Sequence, residues 1–205
     1  MDTQETSTPT GKREKMSRLR LLIAERMYQS SQATAPVTLS TEVDATEIVA
    51  FRTQAKAQGS GASIPSYNAM FMKAVANALP NHPQLNGSID GKELVLWEEA
   101  NIGIAIDTPR GLVVPVVRNV QDKSVAALSA EIEALILDAG QGKLLPDQFQ
   151  GGTFTITSLG MYDVDFFTPI INYPQVGILG IGRIKQTLSM QAGKITEGAK
   201  VFLSL

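Results

Sequence analysis

Three hydroxyl residues, Thr155, Thr157 and Ser158, cluster at the end of a predicted strand, just before Leu159 and Gly160. A hydroxyl that leaves a strand end into a glycine loop can serve as a neutral hydrogen-bond donor to an oxyanion. Strand-forming preference explains such residues as well, because threonine is common in strands. Both interpretations of the cluster stay open on the sequence.

Asp107 offers a carboxylate at a second strand end, where it enters a tight turn beside Arg110. Aspartate in this position usually caps the turn through its own side chain. The functional alternative is a ligand-binding carboxylate. A third feature is the apolar run GILGIG at residues 177–182. It does not fit the common phosphate-binding fingerprints, so it indicates a buried strand whose glycines admit another backbone or a ligand.

The counts of cysteine and histidine exclude several kinds of chemistry. The chain of 205 residues has no Cys and one His. Cysteine nucleophiles, disulfides and cysteine-ligated metals are therefore excluded, and no metal site is expected. The one histidine, His82, lies in a loop between Asn81 and Pro83 and is interpreted as a surface residue. A general base near neutral pH would be this histidine, a tuned carboxylate or a group from another chain.

Charge and hydropathy place the protein in a broad class. The formal net charge is −2, which argues against nucleic-acid binding. No apolar run is long enough for a membrane span, and the N-terminus lacks the apolar core of a signal peptide. We expect no nucleic-acid or membrane partner and a cytoplasmic location, or the mitochondrial matrix in a eukaryote. The basic residues concentrated near the start are Lys12, Arg13, Lys15, Arg18, Arg20 and Arg26.

Hydrophobic periodicity predicts four helices. Residues 1–14 are polar and are interpreted as a flexible linker. Ser17 is the expected cap of a helix that ends before Pro36. The capping-box spacing of Asp44 and Glu47 opens a second helix. A third helix spans residues 66–79, and a fourth spans residues 124–139.

Alternating and continuous apolar runs predict the strands. They are residues 37–43, the hairpin 85–89 and 93–97, the central strands 102–106 and 112–117, and residues 153–157, 176–184, 188–191 and 201–205. Helices and strands mix without an internal repeat. The expected fold class is α/β, a two-layer sandwich with a mixed sheet covered by helices.

Several longer strings carry a family resemblance when they are taken together. In this order and spacing they closely resemble the catalytic core of the dihydrolipoamide acyltransferase component of 2-oxoacid dehydrogenase complexes, from residue 15 to residue 205. The strings are MSRLRLLIAERM (16–27), APVTL (35–39), LNGSID (85–90), NIGIAIDTPRGLVVPV (101–116), GGTFTITSLGM (151–161), PIIN (169–172) and ILGIG (178–182).

The resemblance implies a chloramphenicol-acetyltransferase-like fold and a homotrimer that assembles into a larger hollow core. It implies acyl transfer between a dihydrolipoyl thiol, carried on a separate module, and the thiol of coenzyme A. It also implies the dehydrogenase and dihydrolipoamide dehydrogenase components as partners. In such enzymes a His acts as the general base, and a Ser or Thr hydroxyl stabilises the oxyanion.

Site residues carry over from the family by position. Thr157 matches the catalytic oxyanion hydroxyl. Ile136 stands where one relative has a coenzyme-contacting Gln. The positions that match coenzyme A contacts are Arg52, Ser66, Asp107, Ser158, Gly182 and Ile184.

The catalytic motif Asp-His-Arg-x-x-Asp-Gly of the family is not found in these 205 residues. In relatives it follows a strand like residues 201–205. We therefore expect residues 15–205 to be a C-terminally incomplete catalytic domain whose own activity is doubtful. The alternative is a catalytically silent structural or coenzyme A-binding subunit of the same fold. A weaker reading is a coenzyme A-dependent transferase with another acceptor. The sequence does not identify the acyl group.

Overall fold

A computed structural model of the protein describes residues 11–59, 64–191 and 194–205. Most of the predicted linker, residues 1–10, lies outside the described residues. The helices are α1 (Arg18–Ala33), α2 (Thr46–Ala57), α3 (Tyr67–Ala78) and α4 (Val125–Gln141). The strands are β1 (Ser40–Asp44), β2 (Gly87–Asp90), β3 (Glu93–Leu96), β4 (Ile102–Ile104), β5 (Val116–Val117), β6 (Phe154–Ser158), β7 (Ile178–Ile181), β8 (Lys185–Gln191) and β9 (Lys194–Ser204).

The main sheet is mixed, with the strand order β1-β9-β7-β6-β4-β5, and β8 pairs with β9. The three strands β4, β6 and β7 run parallel to one another, and the other pairs are antiparallel. The hairpin of β2 and β3 forms a separate two-stranded sheet. The predicted α/β class with a mixed sheet and packed helices is confirmed.

The core lies between this sheet and the helices α3 and α4. Met72 of α3 and Leu128 of α4 are fully buried against strand residues such as Ile102 and Ile156. Burying such side chains supplies the main favourable term in folding. The parallel strands therefore stand on a close-packed layer that fixes where their ends lie.

Three of the four predicted helix starts are confirmed. Ser17, Ser66 and Ser124 each cap a helix, and each accepts a hydrogen bond from a backbone N–H three residues further on. The prediction of a capping box at the start of α2 is wrong. The Asp44 carboxylate instead accepts from the N–H of Thr46 at 2.8 Å, and the helix begins at Thr46.

Two strand predictions need correction. Residues 37–43 were expected to bury one face, but β1 begins only at Ser40, and Val37 and Leu39 are exposed. This strand is at an edge of the sheet, and only Val43 packs on the core. The residues that form β5 were expected to be central, yet β5 is the opposite edge. Its valines are nevertheless buried because α4 and the turn Pro146–Phe149 contact that edge.

Among the described residues, no helix combines the length and the apolar character that crossing a membrane requires.

The packing of α4 generates a matched test of the core. Leu128 is 0% exposed, whereas Leu137 of the same helix is 61% exposed. We expect Leu128→Ala to lower the free energy of unfolding by about 2–5 kcal/mol, because it removes buried methyl groups and leaves a cavity. Leu137→Ala should change it by less than about 0.5 kcal/mol. Denaturant titration measures both, and equal losses would contradict the position of the core.

Candidate active site

A cavity of about 540 Å³ lies at the sheet edge where β4, β6 and β7 end. Because these strands are parallel, their carboxyl ends meet at the same edge, which is where open α/β sheets bind ligands. The first turn of α3 and Ile136 of α4 also line the cavity. Its lining residues are 66–68, Phe71, 104–107, Leu112, Ile136, 157–163 and 181–184.

The structure brings most of the predicted site residues together in this one cavity, although they are up to 118 positions apart in the chain. Those that line it are Ser66, Asp107, Thr157, Ser158, Gly182 and Ile184. Ile136, at the position of a relative's glutamine, also lines the cavity, where its side chain can offer apolar contact only.

Arg52 does not line the cavity but lies beside it. Its guanidinium is 4.9 Å from the centre of the Tyr67 ring, and Tyr67 is a lining residue. Its Nε donates to the carbonyl of Pro65 at 3.0 Å. These contacts fix the cation next to the N-terminus of α3, whose backbone N–H groups favour negative charge. The corner formed by Arg52 and the first turn of α3 therefore suits a phosphate group.

The three clustered hydroxyls have different surroundings. Thr155 is fully buried, and its hydroxyl donates to Oε1 of Gln175 at 2.6 Å, so its role is structural. Thr157 and Ser158 are half-buried and line the cavity. In the described part of the chain, neither of these two hydroxyls has a side-chain hydrogen bond. They remain available to a ligand.

Asp107 is also left available, because Thr108 stabilises the turn that was expected to need it. The Thr108 hydroxyl donates to the carbonyl of Gly111 at 2.7 Å and accepts from the N–H of Arg110 at 3.2 Å. The turn-capping interpretation of Asp107 is therefore wrong. Its carboxylate is exposed at the cavity, where it accepts a hydrogen bond from the Tyr162 hydroxyl at 3.2 Å.

The segment that follows β6 is held against the end of β7. The N–H of Leu159 donates to the carbonyl of Ile181 at 3.1 Å, and the N–H of Arg183 donates to the carbonyl of Val164 at 2.8 Å. Gly182 permits this approach, since a Cβ there would collide with the backbone carbonyl of Asp165. The close approach expected at Gly182 is therefore to another backbone.

Charged side chains reinforce the same segment. Arg183 donates to Asp165 at 2.7 Å and lies 3.3 Å from Asp163, while Lys185 donates to the second oxygen of Asp165. The pKa of Asp165 is lowered, chiefly because of the hydrogen bond from Lys185 and further by Arg183, although desolvation opposes this. Asp165 is thus ionised near neutral pH and helps to fix the wall of the cavity.

Sequence reasoning missed several residues of the site. Tyr162 and Met161 line the cavity from the segment after β6, and Phe71 and Leu112 supply apolar walls. The sequence gives no periodic signal for these positions, because they meet only through the order of the strands. An aromatic residue shortly after a hydroxyl cluster is a weak signal that could have drawn attention to Tyr162.

The family can now be decided by comparison with known proteins. A model of the family described as 2-oxoacid dehydrogenases acyltransferase (catalytic domain) matches residues 8–205. The chain belongs to this family. It therefore belongs to a family of acyltransferase enzymes, as the sequence motifs predicted.

Two curated relatives of this family show the extent of the similarity. The dihydrolipoyllysine-residue acetyltransferase component of the pyruvate dehydrogenase complex of Bacillus subtilis is 44% identical over 196 residues, covering 94% of this chain and 44% of the relative. The succinyltransferase component of the 2-oxoglutarate dehydrogenase complex of Haemophilus influenzae is 37% identical over 201 residues, covering 97% and 49%. The chain spans about half the length of these relatives.

A solved structure extends the likeness to three dimensions. The cubic core of the pyruvate dehydrogenase multienzyme complex matches with a TM-score of 0.90 at 33% identity, covering 100% of this chain and 85% of that one. His82 is exposed between two short turns and is not among the residues that line the cavity.

The packing of Gly182 on Asp165 can be tested by substitution. We expect Gly182→Ala to lower the free energy of unfolding by about 1–3 kcal/mol, because the added Cβ forces the two backbones apart. Gly140→Ala in α4 is the control, since nothing lies within 4 Å of a Cβ there and alanine favours a helix. Thermal unfolding should show a lower Tm for the first variant only. An unchanged Tm for Gly182→Ala would contradict the contact.

Proposed function

We propose that the chain is the catalytic domain of an enzyme that transfers an acyl group between a dihydrolipoyl thiol and coenzyme A. The observation that carries the proposal is the Thr157 hydroxyl, which is half-buried at the end of a parallel strand and lines the cavity. A positioned hydroxyl in a partly desolvated site stabilises an oxyanion more strongly than water does.

The reaction needs no covalent enzyme intermediate. The sulfur of one thiol attacks the carbonyl carbon of the acyl thioester, and a tetrahedral oxyanion forms. The C–S bond to the other thiol then breaks, and that sulfur takes up the proton that the attacking thiol has lost. Direct transfer of this kind agrees with a sequence that contains no Cys. In this scheme the Thr157 hydroxyl donates its hydrogen bond to the oxyanion.

The cavity offers groups that suit coenzyme A. Its volume of about 540 Å³ is in the range of small-molecule sites. Arg52 and the first turn of α3 suit a phosphate at one corner. Ser66, Asp107 and Ser158 offer hydrogen-bonding groups, and Gly182 and Ile184 supply part of the wall.

The general base that the family resemblance implies is a His. Among the described residues that line it there is no His, and His82 lies elsewhere on the surface. We propose that a His from outside these 205 residues takes the proton from the attacking thiol. The reading frame after Leu205 tests this directly, because continuation into an Asp-His-Arg-x-x-Asp-Gly motif is expected.

The proposed setting is a homotrimer within a larger core, served by the dehydrogenase and dihydrolipoamide dehydrogenase components. The core assembly is supported by the likeness to the cubic core. We assign residues 1–14 to a linker and residues 15–205 to the catalytic domain, located in the cytoplasm or, in a eukaryote, in the mitochondrial matrix. The acyl group stays open, since one relative is named an acetyltransferase and another a succinyltransferase.

The second candidate is a silent subunit that binds coenzyme A without catalysis. The names of the relatives favour the enzyme. An assay of the full-length protein with S-acetyl- and S-succinyl-dihydrolipoamide and coenzyme A separates the two. Turnover supports the enzyme, and coenzyme A binding without turnover supports the silent subunit.

Thr157 provides the sharpest test of the mechanism. In the full-length protein we expect Thr157→Ala to lower kcat by about 10²–10³-fold with little change in KM, because the lost hydrogen bond forms only in the transition state. Thr157→Ser keeps the hydroxyl and should retain most of the activity. A selective rise in KM for coenzyme A in the alanine variant would instead indicate a binding role.

A further inference from the structure

One hydrogen bond joins two walls of the cavity that come from separate parts of the chain. The hydroxyl of Tyr162 donates to Oδ2 of Asp107 at 3.2 Å, and the two residues are 55 positions apart. Asp107 follows β4, and Tyr162 ends the short turn Gly160–Tyr162 that follows β6. Both residues are exposed lining residues, so the bond lies at the mouth of the cavity.

Both partners are available for this bond. The turn after β4 is held by Thr108 and does not use the Asp107 carboxylate. In the described part of the chain, no Lys or Arg forms an ion pair with Asp107. The nearby Arg110 points its guanidinium at Gly142, at the end of α4. The Tyr162 hydroxyl is therefore the neighbour that orients this carboxylate.

Neighbouring residues hold the backbone around Tyr162 in place. Asp163 adopts a left-handed conformation with φ of 60°, and Arg183 lies 3.3 Å from its carboxylate. The N–H of Tyr162 donates to the carbonyl of Leu159 at 3.0 Å. The pKa of Tyr162 is raised, chiefly because its hydroxyl donates to Asp107. The phenol consequently remains a donor across the neutral pH range.

We propose that Tyr162 is a positioning residue for coenzyme A, which it serves by holding the Asp107 carboxylate toward the cavity. The inference rests on the proposed acyl transfer and deepens it. With Oδ2 occupied by the phenol, Oδ1 is left to accept from the ligand. An ionised carboxylate accepts hydrogen bonds and repels phosphate, so its partner is an amide N–H or hydroxyl of the pantetheine arm.

The position of the two residues agrees with this division of the ligand. The cation Arg52 stands next to the first turn of α3, whereas Asp107 follows a different element, β4. If the phosphates lie at the corner formed by Arg52 and α3, the positive charge faces the negative groups of the ligand. The uncharged pantetheine arm then lies beside the Asp107 carboxylate. Tyr162 would then influence how tightly the arm is held, without touching the reacting atoms.

Tyr162→Phe in the full-length protein tests the proposal, because it removes the hydroxyl and keeps the ring. We expect the KM for coenzyme A, and its Kd by calorimetry, to rise roughly three- to tenfold, as for one lost hydrogen bond. kcat at saturating coenzyme A and the Tm should stay within error. Tyr28→Phe is the matched control, since Tyr28 is 70% exposed on α1 and does not line the cavity.

A double-mutant cycle identifies Asp107 as the intermediary. If Tyr162 acts through Asp107, adding Tyr162→Phe to Asp107→Asn should change the Kd much less than it does alone. Unchanged binding in Tyr162→Phe, additive effects, or a fall in kcat and Tm together would overturn the inference while leaving the proposed function intact. If the unmodified protein binds no coenzyme A, both are wrong.

Discussion

The parallel alignment of β4, β6 and β7 is the constraint on which the site depends. Parallel neighbours end at the same edge of a sheet, whereas antiparallel neighbours end at opposite edges. This arrangement brings Asp107, Thr157 and Gly182 into one cavity although the chain separates them widely. The buried layer of α3 and α4 beneath the strands holds the alignment, so stability and site geometry have a common origin.

At that edge, residues close together in the chain have different roles: one side chain stabilises the structure and the other faces the cavity. Thr155 is buried and bonded to Gln175, which leaves Thr157, two residues further on, to face the cavity. Thr108 stabilises the turn and leaves the Asp107 carboxylate to the cavity. In each pair, the hydrogen-bonded residue (Thr155 or Thr108) holds the backbone in place. The side chain of the other residue (Thr157 or Asp107) stays available to a ligand. Such an arrangement is what a preorganised oxyanion and ligand site requires.

Much of this could be predicted from the sequence, because helix caps and apolar runs are local signals. Ser17 as the cap of α1 and the hairpin around Asp90 are examples. The edge positions of β1 and β5 could not be predicted, since strand order depends on contacts between distant residues. The Tyr162–Asp107 hydrogen bond could not be predicted for the same reason. The family motifs, in contrast, identified seven candidate residues. Six of them line the cavity, and Arg52 lies beside it.

A crystal structure of the protein bound to coenzyme A tests the central claim most directly. The proposed function predicts the pantetheine arm in the cavity at the ends of β4, β6 and β7. It also predicts a phosphate near Arg52 and the thiol close enough to Thr157 for the hydroxyl to reach a tetrahedral oxyanion. Coenzyme A bound at another surface, or bound with its thiol remote from Thr157, would contradict it.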